Sequence, residues 1–526
     1  MDMRIPALIS ARMARLSLFK NVLQGDGDTV SPVSREMSRW FADLPADNPL
    51  TVIDSLGQRV LEISTSTGSA NRKFRQLEQI IGYAEPMLKR LEQQLDQCRL
   101  PIDSASKQAA NSADQLLKSL SEGYMHIVQA LDKSNWQRRL NSKVFATSLL
   151  RSAQLIHRRA MVAHRAHTPG SPRRWKLFRK LLSMAQKHQL IDYSIDTRNP
   201  ETLEQVVVRD CLMNLVDPVS LESAELGRIR FYVERFGHLA QLTTEQPAEH
   251  AKALFVFSEA PRGPTQLAPD QTLQEKEYLL DCRPLIERAT QQLSGLRQGL
   301  HATKLGLPMV ANEASYAFML SRCMEQWSDA KSRRHIRRDY QPLAELVSGF
   351  DPIRNFLTSA AFRRRKSDKQ EGVGKGLSVA SEWRILDQSR SGFGLRQASE
   401  HTRHISVGEV VAMRPLERSN VHICIVRRAR NVEDKDCELG LERLGGTGMP
   451  TSIDKTLPDG HTHAIPVLLL PRVQCFDGGP GLLAPVGDVN KGMSLLVAQQ
   501  DGNVRFEVTG SFERLASCEL IQLRRV

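Results

Sequence analysis

The chain has 526 residues, 41% hydrophobic and 25% charged, which is the usage of ordinary folded proteins and excludes a disordered or fibrous chain. A single core is excluded at that length, and about three to four folding units are expected. The formal net charge of +13 turns the long-range field toward anionic partners, whether nucleic acid, a phosphorylated ligand or an acidic membrane face.

From Asn71 onward, Phe74, Leu77, Ile81, Ala84, Leu88, Leu91 and Leu95 alternate spacings of three and four, the stripe of an amphipathic helix, with Pro86 expected to kink or break it. Leu117, Leu120, Tyr124, Ile127, Val128 and Leu131 repeat the pattern over Asp114 to Asp132, and a third helix is expected from Lys143 to His167. Thr168-Pro-Gly-Ser-Pro172 closes it, so the N-terminal region reads as an antiparallel helical bundle. Helical patterns continue over Trp175 to Gln189 and Leu203 to Leu215, and after the Asp217-Pro218 break through Leu226, Ile229, Val233, Phe236 and Leu239. Ala253 to Phe257 and Tyr278 to Leu280 have strand character, a small β element before helix resumes at Arg283 to Leu300.

Between Phe350 and Trp383 the patterning stops. Arg363-Arg-Arg-Lys-Ser-Asp-Lys-Gln370 is charged and Glu371-Gly-Val-Gly-Lys-Gly376 is glycine-rich, which marks the main domain boundary and an arm expected to be mobile. Beyond it lie short strand candidates at Trp383 to Leu386, Gly392 to Arg396, Glu409 to Met413, Val421 to Val426 and Leu439 to Leu441. Others follow at Ile465 to Leu470, Ser494 to Ala498 and Val504 to Val508, enough for two small all-β units. The fold class is therefore α+β multidomain, divided as 1–200 helical, 201–350 helical with a small β element, 351–450 a β-barrel with an arginine-rich N-terminal arm, and 451–526 a second small β unit.

Asp387-Gln-Ser-Arg-Ser-Gly392 lies between two strand candidates. An Asp and a Ser two apart on an extended segment point to one face, where carboxylate and hydroxyl can bond the polar edge of a purine, while Gly392 lets the backbone turn. About twenty residues upstream stand Arg363, Arg364, Arg365, Lys366 and Lys369. Guanidinium groups fork onto phosphates and stack flat on bases, as a ligand of two phosphates and two guanines requires. Here the sequence resembles the PilZ family of cyclic di-GMP receptors, whose pattern is an R-x-x-x-R arm, a gap and D/N-x-S-x-x-G at the start of a β-barrel. Val407 to Met413, Val421 to Arg427 and Glu438 to Glu442 match the later barrel. Trp40 to Pro45, Leu215 to Pro218 and Leu279 to Pro284 extend a looser likeness to long beta-proteobacterial PilZ proteins with helical N-terminal regions.

The resemblance implies that Asp387, Ser389 and Gly392 bind cyclic di-GMP together with Arg363, Arg364, Arg365 and Lys369. It implies a receptor without a cofactor. The second motif is matched in full; in the first, Arg365-Lys-Ser-Asp-Lys369 places Lys where the second Arg belongs. Lys pairs with phosphate but lacks the fork that stacks on guanine, so a barrel that has lost its ligand and serves as a protein-interaction scaffold is the alternative.

Lys133 to Ile191 contains no Asp or Glu and many arginines, which reads as a solvated face or a patch for an acidic protein partner. No helix-turn-helix, zinc-finger or RNA-binding signature accompanies it, so nucleic acid is not the expected partner. His157, His164 and His167 share a helix face, but no carboxylate lies near them in sequence to complete a metal site. The eight cysteines lie far apart without a CxxC pair, against a zinc site or disulfide framework. With no GxxxxGK[ST] loop or GxSxG elbow, enzymatic function is not expected. No apolar run approaches the roughly 20 residues that cross a bilayer, and Arg4, Arg12 and Arg15 interrupt Met1 to Phe19 before a secretory h-region can form. A cytoplasmic receptor with a protein partner on its helical region is the expectation.

Overall fold

The computed structural model describes residues 32–45, 48–198, 200–246, 252–258, 262–274, 277–329, 338–339, 342–358, 380–398, 404–417, 420–432, 437–456, 462–499, 502–515 and 517–526. Met1 to Phe19 and the Arg363 to Gly376 stretch lie outside them. Two compact units result, Met1–Lys89 with Gln115–Ser152, and Arg90–Asp114 with Ala153–Val526.

The helices in chain order are α1 (Pro32–Ala42), α2 (Pro49–Thr65), α3 (Ala70–Leu95), α4 (Ser104–Asp132), α5 (Asn135–Leu140) and α6 (Ser142–Arg165), then α7 (Arg173–Lys187), α8 (Leu203–Leu215) and α9 (Ser223–Phe236). The first unit is helical. Its α2 starts with Pro49 after Asn48, whose side chain accepts hydrogen bonds from the Leu50 and Thr51 N–H groups, satisfying donors that the helix itself leaves open. Pro86 does not break α3, which continues through it; Leu77, Ile80, Ala84 and Leu88 before and after the proline are all buried. Helix α4 starts ten residues before the apolar stripe that announces it. Asp103 caps that alanine- and serine-rich first turn, accepting from the Ser106 N–H and hydroxyl at 2.8 Å each.

The acid-free stretch proves to be neither a solvated face nor a free patch for most of its arginines, because their partners come from other segments. Arg138 pairs with Asp132 and Arg151 with Glu78 in the first unit, and Arg158 with Glu92, Arg159 with Asp114, Arg165 with Asp96 and Arg174 with Asp210 in the second.

In the second unit, Thr202 and Gln205 form a reciprocal capping box that starts α8. A four-stranded antiparallel sheet, in the order β1 (Gln241–Thr243), β4 (Tyr278–Asp281), β2 (Leu254–Phe257), β3 (Thr265–Gln266), sits among α7 to α9 and the following α10 (Arg283–Arg297) and α11 (Ala314–Ser328). The two longer strands match the strand-like runs of the sequence.

The remaining chain is β-rich. Strands β6 (Leu343–Ser348), β7 (Ser381–Gln388), β8 (Gly392–Gln397), β9 (Val410–Pro415), β10 (His422–Asn431) and β11 (Cys437–Gly445) pair antiparallel in the order β7-β6-β9-β10-β11-β8, and β8 pairs back onto β7. Six strands thus close a barrel, which removes every free edge. A two-residue β5 (Arg338–Asp339) lies along β7. Strand β6 and α12 (Phe350–Thr358) precede the arginine-rich stretch, so the barrel draws strands from both sides of it. Alternation sets the interior: Trp383 and Ile385 of β7 point in with Leu346, Val411, Met413, Cys424, Val426, Leu439 and Leu441, while Glu382 and Arg384 face out.

Strands β12 (Met449–Thr456), β13 (Thr462–Leu470), β14 (Gly481–Ala484), β15 (Ser494–Gln499), β16 (Gly502–Arg514) and β17 (Glu519–Arg525) form an antiparallel sheet in the order β12-β13-β14-β17-β16-β15. One of its faces encloses Ile465, Val467, Leu482, Val497, Phe506 and Ile521. The other presents Leu468, Leu470, Leu483 and Leu520 to Val410, Ala412, Ile423 and Ile425 on the barrel's outside, with Phe350, Ile353 and Leu357 of α12 in the same cluster. That shared core is why β9 is buried on both faces. Among the described residues no helix is long and apolar enough to cross a membrane.

Candidate functional site

The Asp-x-Ser-x-x-Gly string is the hairpin between β7 and β8. Strand β7 ends at Gln388, so Ser389 has left the extended run: its N–H donates to the Gly392 carbonyl at 2.8 Å, and its Oγ lies 3.3 Å from that of Ser391. Asp387 stands one step back, still in β7, opposite Gly394. A Cβ on Gly394 would come within 2.9 Å of the Asp387 carboxylate, so this second glycine makes the room in which the carboxylate sits.

Gly392 is required for a different reason from the one expected. It lies in β8 and its backbone is not left-handed; a Cβ there would fall 1.9 Å from the Leu441 carbonyl oxygen of β11. The turn is tied down from beneath as well, since the Arg443 N–H donates to the Ser391 carbonyl at 2.8 Å. The Arg443 guanidinium lies 4.7 Å from the Phe393 ring centroid, a cation–π contact that positions it behind the hairpin.

In front of the turn opens a cavity of about 400 Å³. Ser389, Ser391 and Gly392 line one side, and Arg427, Arg428 and Glu442 another. The structure therefore brings Ser389 and Gly392 to one cavity with Asp387 beside them, whereas Arg363, Arg364, Arg365 and Lys369 lie outside the described residues. Sequence reasoning missed Arg427, Arg428 and Glu442 as wall residues. The signal was present for two of them, because the matched runs Val421 to Arg427 and Glu438 to Glu442 end on Arg427 and Glu442, while Arg428 lies one residue beyond; what one strand alone does not reveal is that β10 pairs with β11 and β11 with the hairpin strand β8.

His157 and His164 lie on α6, but His167 falls past its end with φ 51°, so the three do not share a helix face, and each has structural surroundings. His157 Nδ1 lies 3.1 Å from Asp210, the carboxylate that the sequence placed 53 residues away. Burial pushes the pKa of His164 down to about 3 and that of His167 to about 4, so both are neutral at physiological pH. Among the described residues no group of three or more His, Cys, Asp or Glu side chains is arranged to hold a metal ion.

A helical N-terminal region, a closed six-stranded barrel and an Asp-x-Ser-x-x-Gly hairpin beside a cavity fit the arrangement that the sequence resemblance implies. Comparison with known proteins bears out that resemblance. Residues 35–249 match the family described as "Cyclic-di-GMP receptor FimW, N-terminal domain". Over 520 residues, covering 86% of this chain and 84% of the other, the sequence is 19% identical to the protein described as "Cyclic-di-GMP receptor FimW" from Pseudomonas aeruginosa strain PAO1. That relative is described as a receptor and not as an enzyme.

Proposed function

We propose that this chain is a cytoplasmic cyclic di-GMP receptor that binds the nucleotide at the β7–β8 hairpin and performs no chemistry on it. The observation that carries the reading is the cavity where Ser389 and Gly392 face Arg427 and Arg428; hydroxyls and cations are what guanine edges and phosphates require. The description of the relative as a cyclic di-GMP receptor supports the same ligand. Arg363, Arg364, Arg365 and Lys369, on the connection between α12 and β7, supply the remaining grip, and Asp387 accepts from a guanine edge. Binding changes the surface that the chain offers to a protein partner. Isothermal titration of the full chain with cyclic di-GMP tests the reading: saturable binding is expected, and its absence would leave a protein-interaction scaffold without a ligand.

Asp387→Ala is expected to weaken binding by about 1–3 kcal/mol, the range for leaving a buried polar partner unpaired, with unchanged thermal melting. Titration of the variant at unaltered affinity would remove Asp387 from the site. The arm provides a second check. Lys369→Arg restores a planar fork, and its affinity should rise by about 1 kcal/mol, as one stacking contact allows. Arg365→Ala should lower affinity; a greater loss in Arg363→Ala or Arg364→Ala would shift the register of the arm by one or two residues, and no change in any of the four would make the stretch a linker.

A further inference from the structure

Arg428 is where the cavity meets the helices of the second unit. The pairing of β10 with β11 is irregular between Val426 and Arg428, a bulge that re-aims the side chains on either side of it. Arg427 and Arg428 consequently line the cavity beside the hairpin, and they also line a second cavity, of about 330 Å³, with Asp217, Glu222 and Glu513. Arg427 is held from two sides, by Glu442 and by Glu513, the latter at 2.7 Å. Arg428 is held by one carboxylate: its Nη2 donates to Asp217 Oδ1 and its Nε lies against Oδ2, both at 3.0 Å.

Both partners of this second pair are accessible, the Arg428 side chain 54% and that of Asp217 38% exposed. Ion pairs in such surroundings contribute little stability, so the guanidinium can exchange one bidentate anion for another at small cost. Asp217 is also unusual in its backbone. It has φ 53°, in the left-handed region, immediately before Pro218 and between α8 and α9. Asp tolerates that conformation better than most side chains, and here its carbonyl accepts from the Ser220 N–H at 2.8 Å and hydroxyl at 2.7 Å. The turn so held places the carboxylate against Arg428. Gly440, opposite Arg428 on β11, leaves the room the arginine uses, since a Cβ there would lie 3.2 Å from that of Arg428.

We propose that Arg428 is a shared ligand, for which a phosphate of the bound nucleotide competes with Asp217, so that binding at the hairpin releases the α8–α9 turn from the barrel. The inference rests on the cyclic di-GMP reading of the same cavity and gives that reading a binding residue and a route to the helices. By linkage, whatever weakens the Arg428–Asp217 pair must tighten nucleotide binding to the same degree.

Titration of cyclic di-GMP into the full chain, the single variants Arg428→Ala, Arg428→Lys and Asp217→Asn, and the double variant Arg428→Ala with Asp217→Asn tests it. Asp217→Asn should tighten binding by about two- to fivefold, the scale of an accessible ion pair. Arg428→Ala should weaken it by about tenfold, with Arg428→Lys between the two because charge is kept and the fork is lost. In the Arg428→Ala background Asp217→Asn should do nothing. Tightening by Asp217→Asn in both backgrounds would reduce the effect to general charge and overturn the competition, as would Arg428→Ala binding like the unaltered chain. An unaltered chain that takes up no nucleotide overturns the receptor reading itself, an outcome distinct from either of these.

Discussion

Gly392→Ala is expected to destabilise the barrel by about 3 kcal/mol and to abolish nucleotide binding with it. The added methyl would sit 1.9 Å from a backbone oxygen, that of Leu441, and backbone on a paired strand cannot step aside as a side-chain end can. Strands β8 and β11 would have to separate where Gly392 pairs with Glu442, which opens the barrel at the hairpin that forms the site. Chemical denaturation should show the midpoint falling, and the titration should show no saturable heat. The neighbouring Gly394→Ala is the control for stability, because the atoms nearest its methyl belong to the Asp387 side chain and not to backbone, so the barrel should stay closed. A variant Gly392→Ala as stable as the unaltered chain would mean that the close approach is not a constraint.

Removing Asp210 should be at least as damaging, by a different route. Its side chain is fully buried on α8, where the Arg174 Nε donates to it at 2.8 Å and His157 lies on its other oxygen. Burial acts to raise its pKa, but Arg174 and His157 outweigh that and hold the carboxyl below its ordinary value, so it is charged. Arg174 is 6% exposed and stacks 4.1 Å over the Trp175 ring. Asp210→Ala strands that guanidinium in the core, and a loss of about 3–5 kcal/mol is expected in a urea melt. Replacing both members, Asp210→Leu with Arg174→Met, should recover most of the loss, since the cost lies in the unpaired charge and not in the absence of the bridge. If the double variant is no better than the single, the cluster contributes through geometry that apolar side chains cannot supply.

Between Asn71 and Leu300 the helices were legible where an apolar stripe marks them, whereas α2 and α11 went unread although Val52, Ile53, Leu56, Val60 and Ile63, and Tyr316, Met319, Leu320, Cys323 and Trp327, make buried stripes of the same kind. Leu203 to Leu215 is the helix its pattern announces, while α4 outruns its stripe because Ser104 to Asn111 carries little apolar signal and depends on the Asp103 cap. The barrel strands after Trp383 were readable as short strand-like runs between turn residues. Strand β6 was not, since Leu343 to Ser348 lies before the charged break and becomes a barrel strand only by pairing with β7 and β9. The second β unit gave up β13, β15 and β16 but not β12, β14 or β17, whose residues read as turns or short apolar runs until their neighbours are known. In the site, Ser389 and Gly392 were legible as a motif, but the reason for Gly392 and the presence of Arg428 depend on β11 and on Asp217, contacts made over distances of 49 and 211 residues that no local pattern records. The arginines of Lys133 to Ile191 misled for the same cause: their carboxylates are on other segments.

The core that the two β units hold in common makes the barrel a poor interchangeable cassette. Val410, Ala412, Ile423 and Ile425 look outward from the barrel, yet all are sealed by Leu468, Leu470, Leu483 and Leu520. A cut after Gly446 would leave these four side chains as an oily stripe in water, of the kind that makes excised domains stick to one another.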